Sequence, residues 1–263
     1  MSNFVGTTVE GTGLGTGISL AAKELTSFKI PVRVKMFYNN DSGLKTPYVL
    51  YNGSSTWQKL VNNIQNGSNT LSFDVSKTGK YAILATQTST QDVASDYWAK
   101  DYIDRFMSKF DVSDVFAGIS TSFNPESDVS VKELVLLYEK VLGKSEENKG
   151  MDIKQKAASL GLSGVLNTSN TSRQINRQEG AAVLVKLYAA KMGLNAETLK
   201  PGKNIYIKDE RSIDNAYYKY VVECVDLGAM SLDTGGNFLP KESVSRAEMV
   251  VSMVKLLGTA GEM

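Results

Sequence analysis

Val244-Ser245-Arg246-Ala247-Glu248 introduces an apolar run that closes at Gly258. The same pattern occurs twice earlier in the chain. Ile175-Asn176-Arg177-Gln178-Glu179 leads into a run ending at Gly193, and Val129-Ser130-Val131-Lys132-Glu133 into one ending at Gly143. A motif recurring at intervals of tens of residues marks a repeat architecture, in which each copy needs its neighbours to bury its apolar face.

Each copy reads as a helix start. Ser130, Asn176 and Ser245 stand at the N-cap, and Glu133, Glu179 and Glu248 follow three positions later. That is the spacing of a capping box. Leu134, Leu137, Tyr138, Val141 and Leu142 follow at helical spacing in the first copy. Val183, Leu184, Leu187 and Tyr188 do so in the second, and Met249, Met253, Leu256 and Leu257 in the third. Each set predicts a helix with one face to bury, closed by its glycine. Arg177 and Arg246 break the pattern, because a cation in the first turn meets the positive end of the helix dipole. Two readings fit. The arginine and free helix-start amides form a site for a carboxylate or phosphate, or the arginine pairs with a neighbouring carboxylate and staples the copies together.

Composition narrows the function classes. The chain has 263 residues, 42% hydrophobic and 22% charged, as expected of a folded chain long enough for two domains. Lys+Arg 29 against Asp+Glu 28 leaves +1, which gives no electrostatic case for nucleic acid. No run of 18 apolar residues predicts a membrane span. Met1 to Gly6 lacks a basic region and an apolar core, so no secretory signal is visible; if the parent protein is exported, the chain reads as a mature fragment of it. With no histidine, imidazole catalysis and histidine-ligated metal are excluded. A carboxylate-pair hydrolase stays open, with no motif to mark it. The single cysteine, Cys224, lies among valines and reads as a buried apolar side chain. No cofactor or metal is expected; Asp233 to Asn237 lacks EF-hand spacing and reads as a tight turn.

Residues 28 to 87 alternate in short apolar and polar steps, notably Ile30 to Tyr38, Thr70 to Val75 and Tyr81 to Ala85. The alternation predicts an antiparallel sandwich-like module, with turns at Asn52-Gly53 and Asn66-Gly67. Gly11 to Gly17 fits neither phosphate-loop spacing and reads as an arm or connecting loop. Trp57 suits a sugar-stacking role or a core or edge position. After a polar linker at residues 86–92, helices are expected at Tyr97 to Phe110, Ile153 to Leu160 and Asn215 to Leu227, with an extra helical turn within 111–122.

The repeated pattern resembles the S-layer homology (SLH) module: Asp, Trp-Ala and a first helix, a glycine turn, Gly-x-Phe-x-Pro, then Thr-Arg-Ala-Glu and a second helix. The third copy has Gly228, Gly236-Asn237-Phe238-Leu239-Pro240 and Val244 to Glu248. The first has Asp92, Tyr97-Trp98-Ala99-Lys100, Ser122-Phe123-Asn124-Pro125 and Val129 to Glu133. The second keeps Asn176 to Glu179 but lacks the Trp and the Phe-x-Pro.

The resemblance implies an α+β multidomain chain. An immunoglobulin-like β module with a Gly-rich arm would occupy residues 1–90. An all-α, pseudo-threefold bundle of three helix pairs would follow at 91–263, with repeats at about 91–143, 150–193 and 206–258. It implies a non-catalytic, extracellular wall or S-layer protein of a Gram-positive-type bacterium, gripping secondary cell wall polysaccharide, often pyruvylated, in grooves between repeats. Arg246, Asp92 and Trp98 would line the groove from the third repeat to the first. Arg177, Asp209 and Tyr217 would line that from the second to the third. Val131 replaces the arginine of the remaining groove, which is expected not to bind. In each working groove the guanidinium and helix-start amides would hold the ketal carboxylate and the aromatic would cover a sugar face. The alternative is a structural subunit of an S-layer or surface filament, self-assembling through the β module and the arm.

Overall fold

The computed structural model describes residues 12–13, 18–20, 27–38, 44–51, 55, 57–60, 63–65, 70–86, 90–112, 114–116 and 122–260. Among these, two small antiparallel sheets and six α-helices make a mixed α+β fold. The chain divides into two compact units, residues 1–89 with 104–111 and 261–263, and residues 90–103 with 112–260. The expected turns at Asn52-Gly53 and Asn66-Gly67 lie outside the described residues. So do most of the Gly11–Gly17 stretch and residues 117–121 of the expected extra helical turn.

The first unit holds β1 (Thr12–Gly13), β2 (Ile18–Leu20), β3 (Ser27–Phe37), β4 (Leu44–Tyr51), β5 (Gln58–Lys59), β6 (Asn63–Gln65), β7 (Thr70–Lys77) and β8 (Gly79–Thr86). One sheet runs β1-β8-β4-β5, with β2 also paired to β8; the other runs β3-β7-β6. Short strands with period-two alternation send alternate side chains to one face. Met36, Leu71, Phe73 and Val75 from the smaller sheet share one apolar cluster with Val49, Tyr81 and Ile83 from the larger. Phe73 and Tyr81 stack there with ring centroids 5.9 Å apart. Trp57 is half-buried.

The helices are α1 (Lys100–Lys109), α2 (Val131–Leu142), α3 (Ile153–Ser159), α4 (Arg177–Met192), α5 (Asn215–Asp226) and α6 (Arg246–Thr259). α1 begins three residues after Tyr97, because Tyr97 to Ala99 is spent in turns: Tyr97 N–H donates to Ala94 O at 3.0 Å and Lys100 N–H to Tyr97 O at 2.9 Å. Trp98 is thereby left outside the helix and 57% exposed, whereas Ala99 and Ile103 are buried. α2 and α4 end on left-handed glycines, Gly143 at φ 71° and Gly193 at φ 65°, where a side chain would be strained. Gly258 does not close α6; the helix continues through it to Thr259. α3 has a capping box of its own, Asp152 with Gln155, hidden in the sequence inside a charged connector. The nearly buried Glu139–Lys156 ion pair, 2.6 Å, ties α3 to α2.

All three repeated motifs form complete capping boxes. Their helix starts are also tied to one another in a ring. Val131 and Lys132 N–H donate to Arg173 O and Thr171 O at 3.0 and 2.9 Å. Arg177 and Gln178 N–H donate to Glu242 O and Pro240 O at 2.9 and 3.2 Å, and Arg246 and Ala247 N–H to Ser127 O and Pro125 O at 2.8 and 3.0 Å. Each motif thus takes carbonyls from the loop before the next, and the third closes on the first. β-bridges join Asp128 to Ser245, Ser130 to Gln174 and Asn176 to Ser243. Val129, Ile175 and Val244, the apolar residues preceding the caps, are buried in this ring.

The connector between α4 and α5 is pinned by Glu197. Its carboxylate accepts from Lys219, from Tyr220 Oη at 2.6 Å and from Lys186 Nζ at 3.3 Å. Lys219 and then Tyr220 hold its carboxyl down to about 2, from an ordinary 4.5. A depressed carboxyl contributes stability that is fully present above its unfolded value and is lost as pH falls towards the folded one. The excess stability of the wild type over Glu197→Gln should therefore be constant above about pH 5 and vanish by about pH 2. Thermal unfolding of both across that range checks this; a gap independent of pH would contradict it.

Candidate functional site

Two peptides organise the joints around the ring. Phe123 N–H and Asn124 N–H donate to the two carboxylate oxygens of Asp92, at 2.8 and 2.5 Å. Phe238 N–H and Leu239 N–H do the same to Asp209, at 2.7 and 2.8 Å. Drawing two consecutive amides onto one carboxylate accompanies a left-handed backbone at the second residue, φ 52° at Asn124 and 59° at Leu239. Leucine carries a steric cost there, which the carboxylate offsets. Asp209→Ala should destabilise the residue 112–260 unit by roughly 2–4 kcal/mol, since hydrogen bonds to a charged group contribute about 1.5–3 kcal/mol each. Urea unfolding measures this; a change under about 0.5 kcal/mol, the range of ordinary surface substitutions, would contradict it.

The carbonyl side of each phenylalanine is held by an arginine from the preceding motif. Arg246 Nη1 donates to Phe123 O at 2.9 Å and Nη2 to Glu133 Oε1 at 2.7 Å, with the guanidinium 4.8 Å from the Phe116 ring centroid. Only 8% of Arg246 is exposed. Arg177 Nε donates to Phe238 O at 2.7 Å and Nη2 to Ser231 O at 3.0 Å. Its guanidinium lies 5.0 Å from the Phe238 ring centroid, and Nη1 stands 3.7 Å from Glu248 Oε1. Each arginine thus spans from its own helix start to the phenylalanine and the capping-box glutamate of the next motif. The cation tolerates the first turn because a carboxylate meets it there.

The third joint is built differently. Val131, at the arginine position, is buried, and Ser169 stands where the phenylalanine would be. Both halves of the contact are missing together. Glu179 is paired instead by Arg173 of its own motif, whose Nη1 donates to Glu179 Oε2 at 2.9 Å and Nη2 to Asn167 O at 3.1 Å. Arg173 escapes a reading based on the repeated motif. Its signal is the paired loss at 131 and 169, which leaves a glutamate that needs a new cation.

The helix-start amides are unavailable to a ligand. At each motif the first two helical N–H groups donate to ring carbonyls. The third donates to the cap side chain, and the cap N–H to the glutamate. All four of the N–H groups that a helix start leaves over have protein partners, so the expected capture of a carboxylate by these amides is corrected.

The expected groups come together only in part. Arg246 and Asp92 flank the peptide of Phe123, and Arg177 and Asp209 that of Phe238. Tyr217 is half-buried, and its hydroxyl donates to Val165 O at 3.1 Å. Trp98 is 57% exposed, beside Tyr97 with ring centroids 5.8 Å apart. Tyr97 Oη donates to Glu126 Oε1 at 2.6 Å. Burial first, then the hydrogen bond and charge of Glu126, push the Tyr97 phenol up to about 12, with Glu248 adding to the rise.

Cys224 is fully buried, its thiol pushed up to about 12 by burial, and is not a nucleophile in the folded chain. Among the described residues, no helix is long and apolar enough to cross a membrane.

Residues 206–250 match the family described as S-layer homology domain. That stretch contains Asp209, Phe238 and Arg246. No curated protein matches the chain. S-layer homology domains are binding domains that generally mediate cell-wall anchoring in bacteria, which associates the matched stretch with the cell surface.

Proposed function

We propose that the chain is a non-catalytic anchoring module that holds a bacterial surface protein to the wall through the secondary cell wall polysaccharide. The observation that carries this reading is a recurrence. The joint inside the matched stretch, Asp209 with the Phe238 and Leu239 amides, recurs bond for bond at Asp92 with Phe123 and Asn124, more than 80 residues before that stretch begins. The closed ring of helix starts supports three tandem repeats, the middle one degenerate, as a pseudo-threefold bundle over residues 91–263. The apolar cluster shared by two sheets supports a sandwich-like module at 1–90.

Within that reading the residues divide by role. Arg246, Arg177, Asp92 and Asp209 hold the joints, and Tyr217 braces the second repeat against the third. Trp98 contacts the glycan, covering a sugar face as exposed tryptophans with an apolar body and a polar edge can. A second role as an assembly subunit has one observation in its favour, the exposed Ile30 and Phe37 on β3. Pro31, Arg33 and Lys35 on the same strand discourage strand-on-strand pairing there.

The test is co-sedimentation with Gram-positive wall sacculi before and after acid removal of the secondary polysaccharide. The chain should pellet with intact sacculi and stay in solution with extracted ones. Pelleting unchanged by extraction, or none with either, would overturn the proposal.

A further inference from the structure

We infer that the loop of the middle repeat, Asn167-Thr168-Ser169-Asn170-Thr171-Ser172, is an acceptor for asparagine-linked sugar. This goes beyond the anchoring reading, whatever wall glycan that reading invokes. The stretch is two Asn-x-Ser units in tandem, the pattern read by asparagine glycosyltransferases on surface segments of exported proteins. It stands where the other two repeats carry Phe-x-Pro. The ring fixes the correspondence: Thr171 O accepts from Lys132 N–H as Pro240 O does from Gln178 N–H and Pro125 O from Ala247 N–H. Ser169 and Asn170 therefore correspond to Phe238 and Leu239, and to Phe123 and Asn124.

At those two joints a pair of amides is drawn onto Asp209 or Asp92. In the middle repeat the hydrogen bonds are local. Ser169 N–H donates to Asn167 Oδ1 at 2.9 Å, and Ser172 N–H to Asn170 Oδ1 at 3.1 Å. Each is a turn closed within one Asn-x-Ser unit, and turns alone only hold a loop. What points to chemistry is what they leave over. Asn167, Ser169, Asn170 and Ser172 are all exposed. Among the described residues, neither Nδ2 and neither serine hydroxyl has a partner. Nδ2 is the atom that takes the sugar, and the hydroxyl two positions on is the group the transferase reads. In the transfer, Nδ2 attacks the anomeric carbon of a sugar diphosphate. The C–N bond forms as the bond from that carbon to the phosphate oxygen breaks. The diphosphate leaves with the electron pair, and Nδ2 gives one proton to a base of the transferase. As that proton leaves, negative charge grows on Oδ1, where the serine amide is already aimed to stabilise it. The loop belongs to the joint that has lost both its arginine, at Val131, and its phenylalanine, at Ser169, so a sugar there displaces no arginine–phenylalanine contact.

The experiment is peptide mass mapping of the native protein, stripped from the surface of the cells that make it, beside a Ser169→Ala/Ser172→Ala variant expressed in the same cells. Both serines are exposed, and circular dichroism verifies that the variant is folded. The tryptic peptide 157–173 holds both asparagines and excludes Asn40, Asn52 and Asn66, which carry the same pattern outside the described residues. The wild-type peptide should be heavier by a sugar, and electron-transfer fragmentation should place that sugar on Asn167 or Asn170. The variant peptide should come bare, because the hydroxyl that the transferase reads is gone. A single sugar, from a nucleotide-diphosphate donor, and an oligosaccharide, from a lipid-diphosphate donor, both support the inference and tell the donors apart. A bare wild-type peptide, a sugar placed on a serine or threonine hydroxyl, or a sugar retained in the variant would overturn it. Sacculus co-sedimentation of the same preparations decides the anchoring reading separately, so the two fail independently.

Discussion

Arg246→Ala should lower the stability of the residue 112–260 unit by about 3–5 kcal/mol, the cost of leaving one partner of a buried ion pair uncompensated. The side chains of Arg246 and Glu133 are only 10% and 11% exposed, and their contact is 2.7 Å. Removal also strips the Phe123 carbonyl of a donor and the Phe116 ring of its cation. A second variant separates charge from packing. Arg246→Met combined with Glu133→Gln should recover much of the loss, because apolar or neutral replacement of both partners leaves no buried charge, and glutamine still serves the capping box. Arg177→Ala should cost less, about 1–3 kcal/mol, since its carboxylate partner is 42% exposed and stands 3.7 Å away. Denaturant unfolding of the four proteins decides this. Equal losses for Arg246→Ala and Arg177→Ala, or no recovery in the double variant, would contradict the staple reading.

Trp98→Ala should do the reverse. Wall binding should fall by at least about thirtyfold, since a central tryptophan in a binding surface contributes about 2 kcal/mol or more. Stability should change by less than about 1 kcal/mol, because the side chain is 57% exposed and leaves no cavity. A binding isotherm against sacculi together with a melting curve measures both. A large drop in melting temperature with unchanged binding would make Trp98 a core residue of the fold.

The helices were legible because their signals are local. A cap residue, a glutamate three positions on and an apolar stripe are complete within one segment, and α2, α4 and α6 begin where those signals stand. The joints were half-legible. Arg177 and Arg246 stood out as cations against a helix dipole, but the residues that resolve the conflict, Glu248 and Glu133, lie 71 positions later and 113 earlier in the chain. No local pattern distinguishes an arginine awaiting a ligand from one awaiting another motif. The partners of the helix-start amides are hidden from the sequence for the same reason, since their acceptors are backbone carbonyls of a loop tens of residues away. Trp98 was expected near a helical face, yet two turns hold it just ahead of α1 and turn it outward. Gly258 was misplaced because glycine permits a left-handed cap without requiring one.

The most direct measurement is a sacculus pull-down of the folded Arg246→Met/Glu133→Gln chain beside Trp98→Ala, each at a temperature where it is folded. The account predicts that the double variant pellets like the wild type and Trp98→Ala stays in solution. The opposite result, with the double variant lost from the pellet and Trp98→Ala retained, would return the ligand to the arginine and contradict the division between joint and binding surface.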